Sequence, residues 1–357
     1  MRIAVIQDYL RVGGTERQTC CLLKSFKELG QEVVLLCFRP GGALAEDVKS
    51  AGIETFTLQR KDTRLNFWAP GLKKQLRRWS PDIVLPMGRM ANAFMPGLKR
   101  ALPDHCKCLA TIRTGKPLPW HNKRTIKKVD AIITNTEWWR QKLISQGIDP
   151  AKITHINNGL TRSWDWEQKT RARQAIRKKN KADELTTVYL NVAGMRAGKR
   201  QEWLIERFAE LNEPHTQLWI VGDGEQMLRN KSVADRLGVG NRVKLPGNQS
   251  DPFDWFAGAD IAVSASIEDA QPNFLIEAQW MDLPCIATDY RGVKECFDPN
   301  QTGYAVKPED SQRFTECMQI LHRNPEQLNA MAYASRERAL TRHDPIACAR
   351  AYLDIFR

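Results

Sequence analysis

Long hydrophobic runs are missing from this chain of 357 residues. No apolar segment approaches the ~20 residues needed to cross a bilayer, which excludes a spanning helix. The opening MRIAVIQDY is a strand-like run containing an acid rather than a basic-then-apolar leader, so a cytoplasmic protein is expected. Cysteine pairs of the C-x-x-C kind are missing too. The nine cysteines include the neighbours Cys20 and Cys21 and the pair Cys106 and Cys108, and they fall mostly in apolar patterns. That usage reads as reduced structural thiols. A metal held by His105, Cys106 and Cys108 is the one alternative, and otherwise no cluster has metal-ligand spacing. Short-period repeats and low-complexity segments are also absent, which sets aside solenoids and tails.

Acid is scarce in one region. Between Gln59 and Lys128, 17 Lys or Arg face only Asp62, Asp82 and Asp104, a balance of 17 − 3 = +14 in a chain whose net charge is +13. Such a one-sided field favours an anionic partner: a membrane surface, a phosphorylated glycolipid or nucleic acid.

What the chain has is length and alternation. Its 42 % hydrophobic content can fill more than one core, and 357 residues exceed what one core usually supports. Short β-rich runs, RIAVI at 2–6, EVVLLCF at 32–38, DIVLPMG at 82–88, KCLATIR at 107–113 and AIITN at 131–135, alternate with helical stretches. After a charged stretch at 167–184 the pattern restarts with VYLNVAG at 188–194, LWIVGDG at 218–224, RVKLPG at 242–247, DIAVSAS at 260–266 and PCIATD at 284–289. This predicts two parallel-sheet, Rossmann-like α/β domains joined near Asn158 and Gly159.

Open parallel sheets bind ligands beyond the carboxyl ends of their strands, so three loops become candidates. In RVGGTERQ, Gly13 and Gly14 permit close backbone approach, and Thr15 with Gln18 has the spacing of a capping box, which suggests an anion seat at a helix start. In GMRAGKR, Gly194, Arg196, Lys199 and Arg200 put cations around glycines after a strand, which suits a diphosphate. In EDAQPNFLIEA, Asp269 and Glu277 flank Pro272 and Asn273. Pro272 suits a first helical turn, Asn273 a cap or a ligand contact, and Glu277 falls about one turn into the helix. An acid early in a helix is also ordinary complementarity with the helix dipole.

Together these motifs resemble the retaining GT-B glycosyltransferases of the glycosyltransferase family four type (glycosyl transferases group 1). GGTER resembles that family's Gly-Gly-x-Glu-Arg opening, KITHINNGL its hinge, DYRGVKE its Gly-Gly-x-x-Glu loop with Arg291 in place of the first glycine, and DAQPNFLIEA its E-G-x-P-N-x-L-x-E-A. The resemblance implies two domains facing across a cleft: an acceptor-binding domain at 1–160, a nucleotide-sugar-binding domain at 161–340, and a helix at 341–357 crossing back to the first. It implies a donor site from Gly13, Gly14, Gly194, Arg196, Lys199, Asp269, Pro272, Asn273, Phe274 and Glu277. Lys199 and Arg196 would hold the diphosphate, Asp269 the transferred sugar and Glu277 the ribose. Glu268, beside Asp269, is a second candidate for the sugar. Arg113 and His121 fall where the acceptor would lie. No cofactor or metal is implied, and UDP-linked sugars are the common donors.

The expected activity is therefore retaining sugar transfer to an anionic glycan or lipid-linked acceptor, in lipopolysaccharide core or other surface-polysaccharide assembly, by a protein held peripherally on the cytoplasmic face of an anionic inner membrane. Two rival readings use the same sequence: a sugar-nucleotide epimerase, and a nucleic-acid-binding protein or base glycosyltransferase working through the basic face. Against the latter, Phe67, Leu72, Leu76 and Trp79 recur at helical spacing like a core stripe, with Lys73, Lys74, Arg77 and Arg78 outward, and no nucleic-acid motif accompanies them.

Overall fold

The computed structural model describes residues 1–115, 126–161, 165–249 and 251–355. The chain divides into two compact units, Met1–Thr161 with His343–Arg357, and Arg162–Arg342. Each is built on a parallel sheet, because its strands are near-continuous apolar runs that must be covered on both faces.

In the first unit β1 (Arg2–Gln7), β2 (Glu32–Cys37), β3 (Glu54–Thr57), β4 (Ile83–Met87), β5 (Lys107–Ile112), β6 (Ala131–Thr134) and β7 (Ile153–His155) lie in the order β3-β2-β1-β4-β5-β6-β7. Central β1 pairs on both sides, Val5 standing opposite Leu35 and Leu85. The helix Gly14–Glu28 buries Leu22, Leu23 and Phe26. The helix Pro345–Asp354 packs there as well, with Tyr352 edge-on to Phe26 at 6.1 Å between ring centroids. Its start is fixed by the Asp344 carboxylate, which accepts from the amide of Ala347 at 2.6 Å.

Two sequence expectations change in this unit. Thr15 is not a cap: the N-cap is Gly13, two residues earlier, and the Gln18 amide instead grips the peptide of Gly159, donating to its carbonyl at 2.6 Å and accepting from its amide at 3.1 Å. The helical stripe also begins later than its spacing suggests. The helix runs Leu72–Trp79 behind Gly71, whose φ of 75° lies in the left-handed region, so Leu72, Leu76 and Trp79 are buried while Phe67 is outside the helix and 65 % exposed.

In the second unit β8 (Thr187–Val192), β9 (Thr216–Val221), β10 (Val243–Lys244), β11 (Ile261–Ser264), β12 (Cys285–Thr288) and β13 (Gly303–Val306) lie in the order β10-β9-β8-β11-β12-β13. The charged stretch at 167–184 contains a helix, Trp166–Asn180, that anchors itself through arginines. Arg177, 3 % exposed, donates to the carbonyls of Gly258 at 2.9 Å, Asp183 at 2.6 Å and Thr186 at 2.5 Å and pairs with Asp260 at 3.1 Å. Removing this side chain leaves buried acceptors without donors. Arg177→Ala is expected to destabilise the protein by about 3 kcal/mol in urea unfolding; a loss below about 1 kcal/mol would show that water replaces the guanidinium.

Candidate functional site

The strand order of the second unit reverses between β8 and β11. Ligands of open parallel sheets settle at such a reversal, beyond the carboxyl ends of the strands. The loops there are residues 193–200, after β8, and 265–272, after β11, and they contain the predicted cations and acids.

Backbone hydrogen bonding joins these loops first. The carbonyl of Gly198 accepts from the amide of Ile267 at 3.0 Å and from the Ser266 hydroxyl at 3.4 Å. A Cβ at residue 198 would stand 2.6 Å from Cδ and 2.9 Å from Cγ of Glu268, so a larger residue there has to displace that side chain. Two ion pairs complete the junction: Arg196 Nη2 to Glu268 Oε1 at 2.9 Å, and Lys199 Nζ to Asp269 Oδ2 at 2.5 Å. The second is the more enclosed, its side chains 12 % and 21 % exposed, whereas Arg196 is 55 % exposed. An ammonium has three donor positions, so Lys199 can hold Asp269 and a phosphate oxygen together.

The helix beside this junction runs Asn273–Trp280. Pro272 is its N-cap and Asn273 its first residue, so of the two roles the sequence allows Asn273, a cap or a ligand contact, it is not the cap. Glu277 follows one turn in and is 7 % exposed. Phe274 is committed to the core, its ring 5.9 Å from that of Phe256. Arg291 sits at φ 54°, in the left-handed region where glycine is ordinarily favoured, which accounts physically for the glycine of the similar motif.

Several contributors carried only weak sequence signals. The turn after β9 presses on the 193–200 loop: Met195 donates to the carbonyl of Asp223 at 2.8 Å, and a Cβ on Gly222 or Gly224 would collide with the carbonyl of Ala193 or Met195. The doublet GDG after a strand is the signal that could have found it. Arg200 anchors the loop's other end through the carbonyl of Pro308 at 3.0 Å. A hollow of about 330 Å³ lined by Arg196, Arg200, Trp203, Gln226 and Arg229 flanks the loop.

The first-unit candidates lie in different settings. Gly13 and Gly14 do start a helix, but the neighbouring cation, Arg11, is shared by Asp8 and Glu16, with Arg11 Nε 2.8 Å from Glu16. Burial raises the Glu16 carboxyl above its usual range. Arg113 is tied inward, donating to the Tyr352 hydroxyl at 2.6 Å and to Asn158 Oδ1 at 2.5 Å, which places it in the scaffold of the terminal helix. His121 lies outside the described residues. Cys106 and Cys108 are buried free thiols, and among the described residues no group of three or more potential ligands is placed to hold a metal ion.

The sequence of the chain carries two family signatures in the order of its two units. Residues 12–164 match Glycosyltransferase Family 4 and residues 186–324 match Glycosyl transferases group 1. The chain belongs to this family of glycosyltransferases, and its paired parallel α/β units are the GT-B fold. It is 23 % identical over 354 residues to LpsE of Rhizobium meliloti, described as a lipopolysaccharide core biosynthesis glycosyltransferase, covering 96 % of this chain and 95 % of that one. A stretch of 169 residues is 29 % identical to EpsD of Bacillus subtilis, covering 47 % of this chain and less than half, 44 %, of that relative. The crystal structure of Anabaena HepE with UDP-glucose superposes with a TM-score of 0.84 at 18 % identity, covering 99 % and 98 % of the two chains.

The Gly198 contact generates a paired test. Gly198→Ala has to displace the Glu268 side chain that pairs with Arg196, while Gly194→Ala meets only the carbonyl of Asp223 at an ordinary 3.7 Å. Gly198→Ala is expected to weaken nucleotide-sugar affinity about tenfold in calorimetry, and Gly194→Ala to change it less than about threefold. Equal effects would mean that the junction is not what shapes the site.

Proposed function

We propose that this protein is a retaining glycosyltransferase that moves a sugar from a UDP-linked donor to an anionic glycan or lipid-linked acceptor of cell-surface polysaccharide assembly, the lipopolysaccharide core in the first place. The observation that carries this reading is the Lys199–Asp269 pair at the strand-order reversal, with Glu277 one turn into the adjoining helix. In this reading Lys199 and Arg196 bind the donor diphosphate and neutralise the charge that develops as it leaves. Glu277 accepts from the ribose hydroxyls, and Asp269 accepts from hydroxyls of the transferred sugar. The acceptor hydroxyl attacks C1 on the face from which the diphosphate departs. The bond from C1 to the phosphate oxygen breaks, the bond to the acceptor oxygen forms, and the acceptor proton passes to the departing phosphate. No protein nucleophile and no metal is required. The UDP-glucose of HepE and the core biosynthesis of LpsE support the choice of donor and acceptor class.

The acceptor side rests on the first unit's charge and on one built surface. Helix Leu72–Trp79 turns Lys73, Lys74, Arg77 and Arg78 outward. The preceding loop leaves Leu65, Phe67 and Trp68 exposed, 41 %, 65 % and 46 %. It is held from beneath by the buried Gln59 amide, which donates to the carbonyls of Leu65 at 2.9 Å and Trp68 at 2.7 Å. Exposed apolar side chains beside cations suit an anionic bilayer, each cation near the surface adding about 1 kcal/mol. Among the described residues no helix is long and apolar enough to cross the membrane, so this contact is peripheral in the proposal.

Two experiments test these assignments. Lys199→Ala and Glu277→Ala should each weaken donor binding roughly ten- to a hundredfold with the circular dichroism unchanged, the loss of one charge-assisted contact; Asp269→Asn should impair turnover of the intact donor more than affinity for the free nucleotide diphosphate. Wild-type affinity in both alanine variants, or a larger effect from Glu268→Gln than from Asp269→Asn, would move the roles elsewhere. In vesicle flotation, Lys73, Lys74, Arg77 and Arg78 changed together to Gln should release the protein from anionic vesicles. Binding indifferent to that change and to salt would remove the membrane role, and binding of single-stranded nucleic acid lost in the same variant would favour the nucleic-acid reading.

A further inference from the structure

At the opposite end of the second unit's sheet, beside the amino ends of β8, β9 and β10, lies a hollow of about 670 Å³. Its wall includes Lys179, Lys181, Arg242 and Lys244, with His215, against the single carboxylate of Asp183. Among the described residues none of these four cations has a carboxylate within 4 Å, although arginines nearby, Arg173, Arg177 and Arg323, all do. A solvated basic surface is ordinarily convex and interspersed with acids; this one is concave and is not.

The hydrogen-bond accounting of the wall sharpens its preference. The terminal carbonyls of the helix Trp166–Asn180 would oppose an anion, but the Gln217 amide donates to those of Asn180 and Lys181 at 3.1 Å each. The Asp183 carboxylate accepts from the Thr186 hydroxyl at 2.6 Å, and Arg177 takes the carbonyls of Asp183 and Thr186. Arg242 is fixed in place by Glu213 and Thr216, with its guanidinium 5.1 Å over the Phe208 ring, so it is preorganised rather than searching solvent. With these carbonyls occupied, and with Lys244 donating to the carbonyl of Asn241 at 2.6 Å, the wall still carries four cations against the one Asp183 carboxylate. Burial, and after it the nearness of Lys181, hold the Lys244 ammonium below its ordinary range, and a neighbouring anion would favour its charged form.

We infer that this hollow is a second anion site, separate from the donor loops, that takes a phosphate-rich group through Lys181, Lys244, Arg242 and Lys179. The group can be carried by a soluble oligophosphate or by a lipid headgroup; the recognition chemistry is the same, a cluster of ammonium and guanidinium donors around phosphate oxygens. The site is independent of the sugar-transfer reading, since none of its residues touches the loops at 193–200 or 265–272.

Calorimetry with inorganic tripolyphosphate on the full chain tests it, using Lys199→Ala as the background so that the donor loop contributes little. The background protein should bind tripolyphosphate in a salt-sensitive manner, and adding Lys181→Gln with Lys244→Gln should weaken that binding at least tenfold, the melting temperature being unchanged. If that pair lowers the melting temperature, Lys179→Gln with His215→Gln carries the same test. Flotation with phosphatidic-acid vesicles assigns the source by comparing the protein with and without the second unit's two lysines at low salt, scored as the drop in vesicle affinity beyond that due to Lys73, Lys74, Arg77 and Arg78: a further drop together with loss of tripolyphosphate binding points to a headgroup, loss of tripolyphosphate binding alone to a soluble ligand, and either supports the site. Tripolyphosphate binding of equal affinity with and without the two lysines would overturn it.

Discussion

The strand-order reversal of the second unit is organised around the close approach of two loops at Gly198. Parallel strands deliver the loops after β8 and β11 to the same edge of the sheet, but delivery alone leaves them side by side. The Gly198 carbonyl binds the backbone of Ile267, and the missing side chain makes room for Glu268. Across the same junction Arg196 reaches Glu268 and Lys199 reaches Asp269. The acids thus have two tasks that are hard to separate from sequence: they orient the cations, and they leave hydroxyl-accepting oxygens at the rim. The GDG turn and Arg200 hold the junction from either side.

A second constraint runs through the first unit. The segment at 158–160 is pinned at every peptide: His343 Nδ1 lies 2.8 Å from the carbonyl of Asn158, Gln18 clasps Gly159, and the Leu160 amide donates to the carbonyl of His343 at 2.8 Å. Arg113 links Asn158 to Tyr352 in the same network. The end of the unit's main segment and the start of its terminal helix are therefore fixed to one another by buried polar contacts, which tolerate little slack.

Much of this was legible. The strands β1, β2, β4, β5, β6, β8, β9, β11 and β12 lie inside apolar runs that extend beyond the strand itself, and doubly covered strands announce themselves that way. β3 reads ETFT and is largely exposed at the sheet edge, β7 has three residues and β13 four, too few for a pattern to emerge. RVKLPG looked like a full strand, yet only Val243 and Lys244 pair. Phe67 fitted the helical stripe because spacing ignores Pro70 and the left-handed Gly71 that stop the helix. The Thr15 and Gln18 spacing fitted a local cap, but Gln18 found a better partner 141 positions away. Nonlocal contacts of this kind leave no trace in local spacing. The cations and acids of the candidate site were visible as residues; that they meet as Arg196 with Glu268 and Lys199 with Asp269 was not.

The central claim is that a nucleotide diphosphate sits at the strand-order reversal of the second unit. A crystal structure of the full chain soaked with UDP tests it most directly. The account predicts density with a phosphate oxygen within hydrogen-bond distance of Lys199 Nζ and the ribose hydroxyls on the Glu277 carboxylate. Well-ordered nucleotide bound elsewhere, with Lys199 and Glu277 untouched, would contradict it.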